Sequence, residues 1–216
     1  MDAATLQSKV NRGLGIAARI LGTSCNWYRP FGSGNPVAIG RLQGTINVKL
    51  TADFAYTGKA PNLYGHPIWA AMFDRTMTAV GDYLVGPQGT FFIIAQQPHA
   101  PTAAVECDRV LTFKRPAPGA SGSSFYGGDT LADEVALCTA WPGSVQKGTK
   151  GERGNSALPQ DTRMPWVDIL MPVIPGVQIV TGDVAYDEQG LQRRYIVSTA
   201  ELTDLGWRLT AQQVGA

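Results

Sequence analysis

The chain has 216 residues, and 44% of them are hydrophobic, which is enough for one substantial core or two small ones. Only 16% are charged and the net charge is +1, so nothing global favours specific nucleic-acid binding. No apolar run reaches the roughly 18 residues of a membrane span, and the N-terminus lacks the apolar stretch of a signal peptide, so we expect no membrane span.

The first predicted element is an amphipathic helix over residues 3–21, with Asp2 suited to cap its start and Gly22 suited to a left-handed turn after its end. An isolated helix of this length is marginal in water, so it needs a surface to pack on, in its own domain or on a neighbouring subunit. The apolar arc holds Leu6, Val10, Leu14, Ala17 and Leu21, and the polar side holds Gln7, Ser8, Asn11, Arg12 and Arg19.

Residues 23–36 combine aromatic residues with two prolines and several glycines and serines. Because this composition opposes regular structure, we interpret the segment as an extended arm. Trp, Tyr and Arg dominate the centres of protein interfaces, so we expect the arm to anchor on a protein partner rather than on bases or sugars. The expected anchors are Trp27, Tyr28, Arg29 and Phe31.

A pattern of strands occurs twice in the rest of the chain. Gly81-Asp82 precedes a strand, a turn, an aromatic strand at 91–95 and a further strand at 105–113. About a hundred residues later, Gly182-Asp183 begins the same order. Chance similarity of short β-patterns is the alternative, but two related units are the simpler explanation. The predicted fold is therefore mainly β, with two small β-barrel or sandwich-like units behind an N-terminal helix and an extended arm.

Four segments follow from these patterns. We expect the helix and arm over residues 1–36, a first β-unit over 37–113, a Gly/Pro/Ser-rich connector over 114–163 and a second β-unit over 164–216. The later part of the connector is basic, carrying Lys147, Lys150 and Arg153, and a connection this long is either disordered or held by a partner.

Two glycine-rich stretches superficially resemble nucleotide-binding loops. Residues 13–18 follow the Gly-x-Gly-x-x-Ala pattern, but they lie inside the predicted helix and not after a strand. Residues 143–150 resemble a phosphate loop with its last two residues exchanged, so the lysine is misplaced. Neither stretch predicts a cofactor.

Catalytic and metal-binding patterns are also weak. His66 and His99 have no ligand-spaced neighbours, and the three cysteines form no CxxC pair. The adjacent acids at 133–134 and 187–188 would point to opposite faces of a strand, which does not suit a glycosidase pair. We therefore expect no catalytic residues, no metal and no enzyme activity.

Several segments spread along nearly the whole chain are, in combination, similar to those of a known group of proteins. They are residues 13–19, 27–30, 80–87, 148–154 and 200–208. Together they resemble a group of tailed-phage and prophage structural proteins, and the resemblance implies a virion context without any particular chemistry. More loosely, residues 180–211 look like the small β-barrels of phage head–tail stopper and neck proteins, although those are usually single units.

The resemblance implies a structural protein of a phage neck or tail, assembled in the host cytoplasm as a homo-oligomeric ring that joins portal, tail or fibre proteins. Low charge, an arm and a helix in need of a partner suit that role. A receptor- or glycan-binding tail-fibre module is the alternative, and a lytic enzyme is a further one. The candidate subunit-interface residues are Leu6, Val10, Leu14, Leu21, Trp27, Tyr28, Arg29, Phe31, Lys147, Lys150 and Arg153.

Overall fold

The computed structural model describes residues 2–52, 66–116, 134–147, 165–189 and 192–214. Within these ranges the chain forms one α-helix, α1 (Ala3–Leu21), a short 3-10 helix (Ile39–Arg41) and twelve strands. The strands are β1 (Thr23–Tyr28), β2 (Leu42–Thr51), β3 (Ile68–Met72), β4 (Tyr83–Gly86), β5 (Gly89–Ala95), β6 (Thr102–Cys107), β7 (Arg109–Pro116), β8 (Glu134–Lys147), β9 (Trp166–Met171), β10 (Val184–Asp187), β11 (Arg194–Thr203) and β12 (Gly206–Val214).

The strands form two closed six-stranded barrels with the same topology. The first has the order β1-β2-β3-β6-β5-β4, and β1 pairs with β4 to close it. The second has the order β7-β8-β9-β12-β11-β10, closed by β7 and β10. Adding six to each strand number converts the first order into the second. The prediction of a mainly β chain with two related barrel-like units behind one helix is therefore confirmed.

Alternation along the strands sorts side chains between the inside and the outside of the first barrel. Trp27, Leu84 and Phe91 lie in its buried core, which also includes Phe73 and Ile93. These inward residues are large and apolar because a six-stranded barrel has to fill its own interior with side chains.

The outer face of β4, β5 and β6 joins the two barrels. Tyr83, Phe92 and Val105 are paired side by side across these strands and belong to the same buried cluster as the core of the second barrel. The Tyr83 hydroxyl donates a hydrogen bond to the main-chain oxygen of Pro142 at 2.7 Å, and its ring meets the edge of Trp141. The outer face of the first barrel and the core of the second therefore form one shared core, which is separate from the interior of the first barrel.

The predicted segment boundaries differ from the structure in two places. Residues 23–28, expected to be part of the arm, form β1, because Cys25 and Trp27 alternate inward there before Pro30 ends the strand. The single strand expected at 105–113 is divided at Asp108 into β6 of the first barrel and β7 of the second. The first barrel thus spans 23–107, and the second takes β7 mostly from the expected first unit and β8 from the expected connector.

The helix has the predicted bounds, and its cap is the predicted Asp2, whose carboxylate accepts from the Thr5 N–H at 2.7 Å. The prediction for Gly22 is wrong, because this residue is extended, with φ −94° and ψ 177°. A Cβ on Gly22 would lie 2.5 Å from the Ala18 oxygen and 2.6 Å from the Val48 oxygen. Glycine is needed here for a close approach between the helix end and β2.

Candidate interaction surface

The helix packs on its own barrel through its small and polar side. Ala18 is fully buried, and a Cβ on Gly15 would come within 3.0 Å of Asp74. The Asn11 side-chain oxygen accepts from Arg75 Nε at 2.9 Å, and the Gln7 side-chain oxygen accepts from the main-chain N–H of the β5–β6 loop, also at 2.9 Å. Residues 7, 11, 15 and 18 therefore form the face that contacts the barrel.

This orientation turns an apolar side of α1 away from the barrel. Ile20 is 76% exposed, Leu21 61% and Leu6 45%, although apolar side chains of this size usually lie inside. At 100° per residue they share an arc of about 100° with three smaller or partly buried positions. We call this surface the α1 apolar face. Its residues are Leu6, Val10, Gly13, Ala17, Ile20 and Leu21.

The α1 apolar face is large enough to contribute to association. Fully burying one Leu or Ile side chain contributes about 1.5–3 kcal/mol, and its three most exposed side chains are about half to three-quarters accessible. Covering them would release several kcal/mol before the cost of association is subtracted. Leu14, the remaining predicted interface residue of the helix, is partly buried beside this face.

The predicted anchors of the arm lie in different environments. Trp27 is buried inside the first barrel and Tyr28 is partly buried against the shared core, so neither presents an open ring to a partner. Arg29 is bound to Asp82 of its own chain. Of the three aromatic anchors, Phe31 alone is exposed, to 82%.

The loop between β1 and β2 is tied to the second barrel. The main-chain oxygen of Ser33 accepts from Trp141 Nε1 at 2.9 Å and from the Thr139 N–H at 3.0 Å. Phe31 and Ile39 project from this fixed loop with highly exposed side chains. The loop is therefore an ordered support for two apolar side chains and not a free arm.

The basic residues predicted for the interface are only partly placed. Lys147 is exposed at the end of β8. Lys150 and Arg153 lie outside the described residues.

A pairing of a partly exposed arginine with a buried aspartate recurs in equivalent places in both barrels. Arg29 donates from Nε and Nη2 to the two oxygens of Asp82 at 3.0 and 2.8 Å. Arg115 donates in the same way to Asp183 at 2.7 and 2.9 Å. These hydrogen bonds raise the pKa of each guanidinium above its ordinary value. We call the two arrangements the Arg–Asp clamps.

The surroundings of the clamps also match. Each arginine Nη2 donates to a main-chain oxygen five residues before the aspartate, at 3.0 Å for Met77 and 2.8 Å for Gln178. Each aspartate accepts from the N–H three residues before it, at 2.8 Å in both barrels. The preceding glycines, Gly81 and Gly182, have φ +91° and +92°, a conformation that favours glycine. One difference stands out, because only Asp82 also accepts from an indole, Trp27 Nε1 at 2.8 Å.

Sequence reasoning found the Gly-Asp half of each clamp and missed the arginine, which is 53 residues away in the first barrel and 68 in the second. The sequence does contain a pattern that marks these arginines. The stretch at residues 27–30 reads Trp-Tyr-Arg-Pro, and the stretch at 113–116 reads Phe-Lys-Arg-Pro. An aromatic residue, a spacer and Arg-Pro thus mark the end of the first strand of each barrel.

The three cysteines are free, and Cys25 and Cys138 are buried while Cys107 is partly buried. Burial raises the pKa of Cys25, raises that of Cys138 to about 11, and raises that of Cys107 well above its ordinary value. Thiols with raised pKa values are poor nucleophiles at neutral pH. Across the described ranges, no three side chains of His, Cys, Asp or Glu converge on a possible metal position, and no helix has the length and apolar character needed to cross a membrane.

Comparison with protein-family models, with curated proteins and with solved structures finds no significant match to this chain.

Proposed function

We propose that this protein is a structural component of a tailed-phage particle, without enzyme activity, that assembles with copies of itself into a ring in the neck or tail. The observation that carries the proposal is the α1 apolar face, which no other described part of the chain covers. The phage context comes from the sequence resemblance, and the low charge of the chain is compatible with extensive subunit contacts.

A closed ring needs a head-to-tail contact between two different surfaces of adjacent copies. The α1 apolar face supplies one apolar surface. Phe31 and Ile39, on their anchored loop, supply a second, separate one. Rigid support favours assembly because little conformational freedom is lost on docking. In this proposal the neighbours of the ring are portal, tail or fibre proteins.

The test is the oligomeric state of the full chain, measured by size-exclusion chromatography with light scattering. Placing a charge on the α1 apolar face by Ile20→Glu should shift a higher-order assembly to monomers, because burying an unpaired carboxylate costs several kcal/mol. The far-UV circular dichroism should stay unchanged, since Ile20 is exposed in the single chain.

The matched control is Ser8→Glu, which adds the same charge at an exposed position of α1 outside the apolar face. The control should assemble as the wild type does. A wild-type protein that stays monomeric at high concentration, or an assembly that tolerates Ile20→Glu, contradicts the proposed interface. A stable trimer that binds sugars would favour the fibre alternative.

A further inference from the structure

A cavity of about 430 Å³ lies where the N-terminal half of α1 meets the first barrel. Its volume is within the range of small-molecule sites, about 300–1,000 Å³. The lining includes no carboxylate; it consists of Ala3, Ala4, Gln7, Asn11, Arg75, Gln96, Pro98 and His99.

Arg75 supplies an uncompensated positive charge to this cavity. Its side chain is only 7% exposed, and none of the carboxylates among the described residues forms an ion pair with it. Nε donates to Asn11, and Nη1 donates to the main-chain oxygens of Gln97 and Ala100 at 2.7 and 3.1 Å. Nη2 is buried with no acceptor. Burying a guanidinium in this state is unfavourable unless an acceptor or a negative charge joins it.

The start of α1 adds donors on the other side of the cavity. The first four N–H groups of a helix have no partner within the helix. Here the Thr5 N–H is capped by the Asp2 carboxylate and the Leu6 N–H bonds to the Asp2 main-chain oxygen. The N–H groups of Ala3 and Ala4 remain, and both residues line the cavity. The helix dipole makes this end favourable for negative charge.

Between these two features, Asn11 offers one further side-chain donor. The Asn11 oxygen already accepts from Arg75 Nε and from Gln7 Nε2, so its amide nitrogen is left to donate. The carboxylate nearest to Arg75 in sequence, Asp74, accepts from the N–H and hydroxyl of Thr76 instead. The lining of the cavity therefore offers donors and a positive charge and contains no carboxylate, and the Asp2 carboxylate caps the adjacent start of α1.

We propose that this cavity binds an oxyanion, the phosphate or carboxylate group of a small ligand, with Arg75 and the start of α1 as its recognition elements. Because the cavity exists only where α1 is seated on the barrel, the bound anion stabilises that seating. The site is separate from the α1 apolar face, so it stands independently of the proposed ring.

Inorganic phosphate and sodium acetate serve as separate probes of the full chain, titrated calorimetrically against chloride at constant ionic strength. The decisive variant is Asn11→Asp, which is nearly isosteric and places a carboxylate next to Arg75 Nε. It should lower anion affinity at least tenfold while leaving the melting temperature unchanged or raised. The control Arg208→Gln removes an exposed arginine of β12 outside the cavity and should bind as the wild type does.

Saturable binding of phosphate alone supports a phosphoryl ligand, and binding of acetate supports a carboxylate ligand. The proposal is overturned when the wild type binds neither probe beyond chloride. It is equally overturned when Asn11→Asp binds a probe as tightly as the wild type.

Discussion

The two Arg–Asp clamps allow a matched measurement within one chain. Asp82→Ala and Asp183→Ala each remove a buried carboxylate, a bidentate contact to an arginine and one bond to a main-chain N–H. Both arginines are more than 40% exposed, so water replaces much of what they lose. We expect this shared loss to lower the free energy of unfolding by on the order of 2–3 kcal/mol in each variant.

The first clamp carries one further loss. Trp27 is buried, and its indole N–H has Asp82 as its acceptor, whereas the second clamp has Phe113 at the corresponding position. Leaving a buried donor unsatisfied costs about 1–3 kcal/mol. Asp82→Ala should therefore destabilise the protein by about 1–3 kcal/mol more than Asp183→Ala.

Urea denaturation followed by far-UV circular dichroism measures both variants, and coincident fluorescence transitions check that unfolding is cooperative. The comparison is repeated with Trp27→Phe added to the wild type and to both alanine variants, which makes the first clamp resemble the second. The difference between the two alanine variants should then disappear. A difference that persists with Trp27→Phe, or equal losses in the wild-type background, would refute the role assigned to the indole.

Three further predictions concern the helix end, a buried thiol and the contact between the barrels. Gly22→Ala should lower the free energy of unfolding by about 1–3 kcal/mol, because the added Cβ would overlap two main-chain oxygens. Gly13→Ala has open space around it and should raise the free energy of unfolding by up to about 1 kcal/mol. Urea titration measures both variants. The raised pKa of Cys138, about 11, means that the folded state favours the neutral thiol. The resulting contribution to the free energy of unfolding is complete below the unfolded pKa of about 9 and is lost as the pH rises from 9 to 11. Over that range the free energy of unfolding of the wild type should fall by as much as about 2 kcal/mol more than that of Cys138→Ala. Tyr83→Phe should cost about 1–2 kcal/mol by leaving the Pro142 oxygen without its buried donor, and an unchanged urea midpoint would contradict the hydrogen bond.

Local sequence patterns correctly predicted the features that depend on residues close together in the chain. The bounds of α1 follow from its periodicity and from Asp2, and the doubled Gly-Asp turn follows from the conformational demands of Gly81 and Gly182. The face by which α1 packs on its barrel could not be predicted from the sequence, because hydrophobicity alone favours burial of the apolar arc. The structure instead joins the helix to its barrel through Asn11 and Arg75, a contact across 64 residues.

The misjudged strands have a common cause. β1 is only six residues long with two inward residues, Cys25 and Trp27, so its period-two signal is weak beside the following prolines and glycines. β6 and β7 are separated by Asp108 alone, so they read as one strand although the chain passes there from one barrel to the other. Closure of the barrels is a pairing of distant strands, which local patterns do not encode.

The shared core has a consequence for synthesis. The first barrel is complete at Cys107, but the partners of its outer face, Trp141 and Pro142, are translated more than 30 residues later. At about 5–20 residues per second, Tyr83 and its apolar neighbours stay uncovered on the nascent chain for seconds. A ribosome that pauses in this interval would leave the apolar outer face of the first barrel exposed. Chaperone binding to stalled nascent chains should therefore be greatest when the pause lies in this interval.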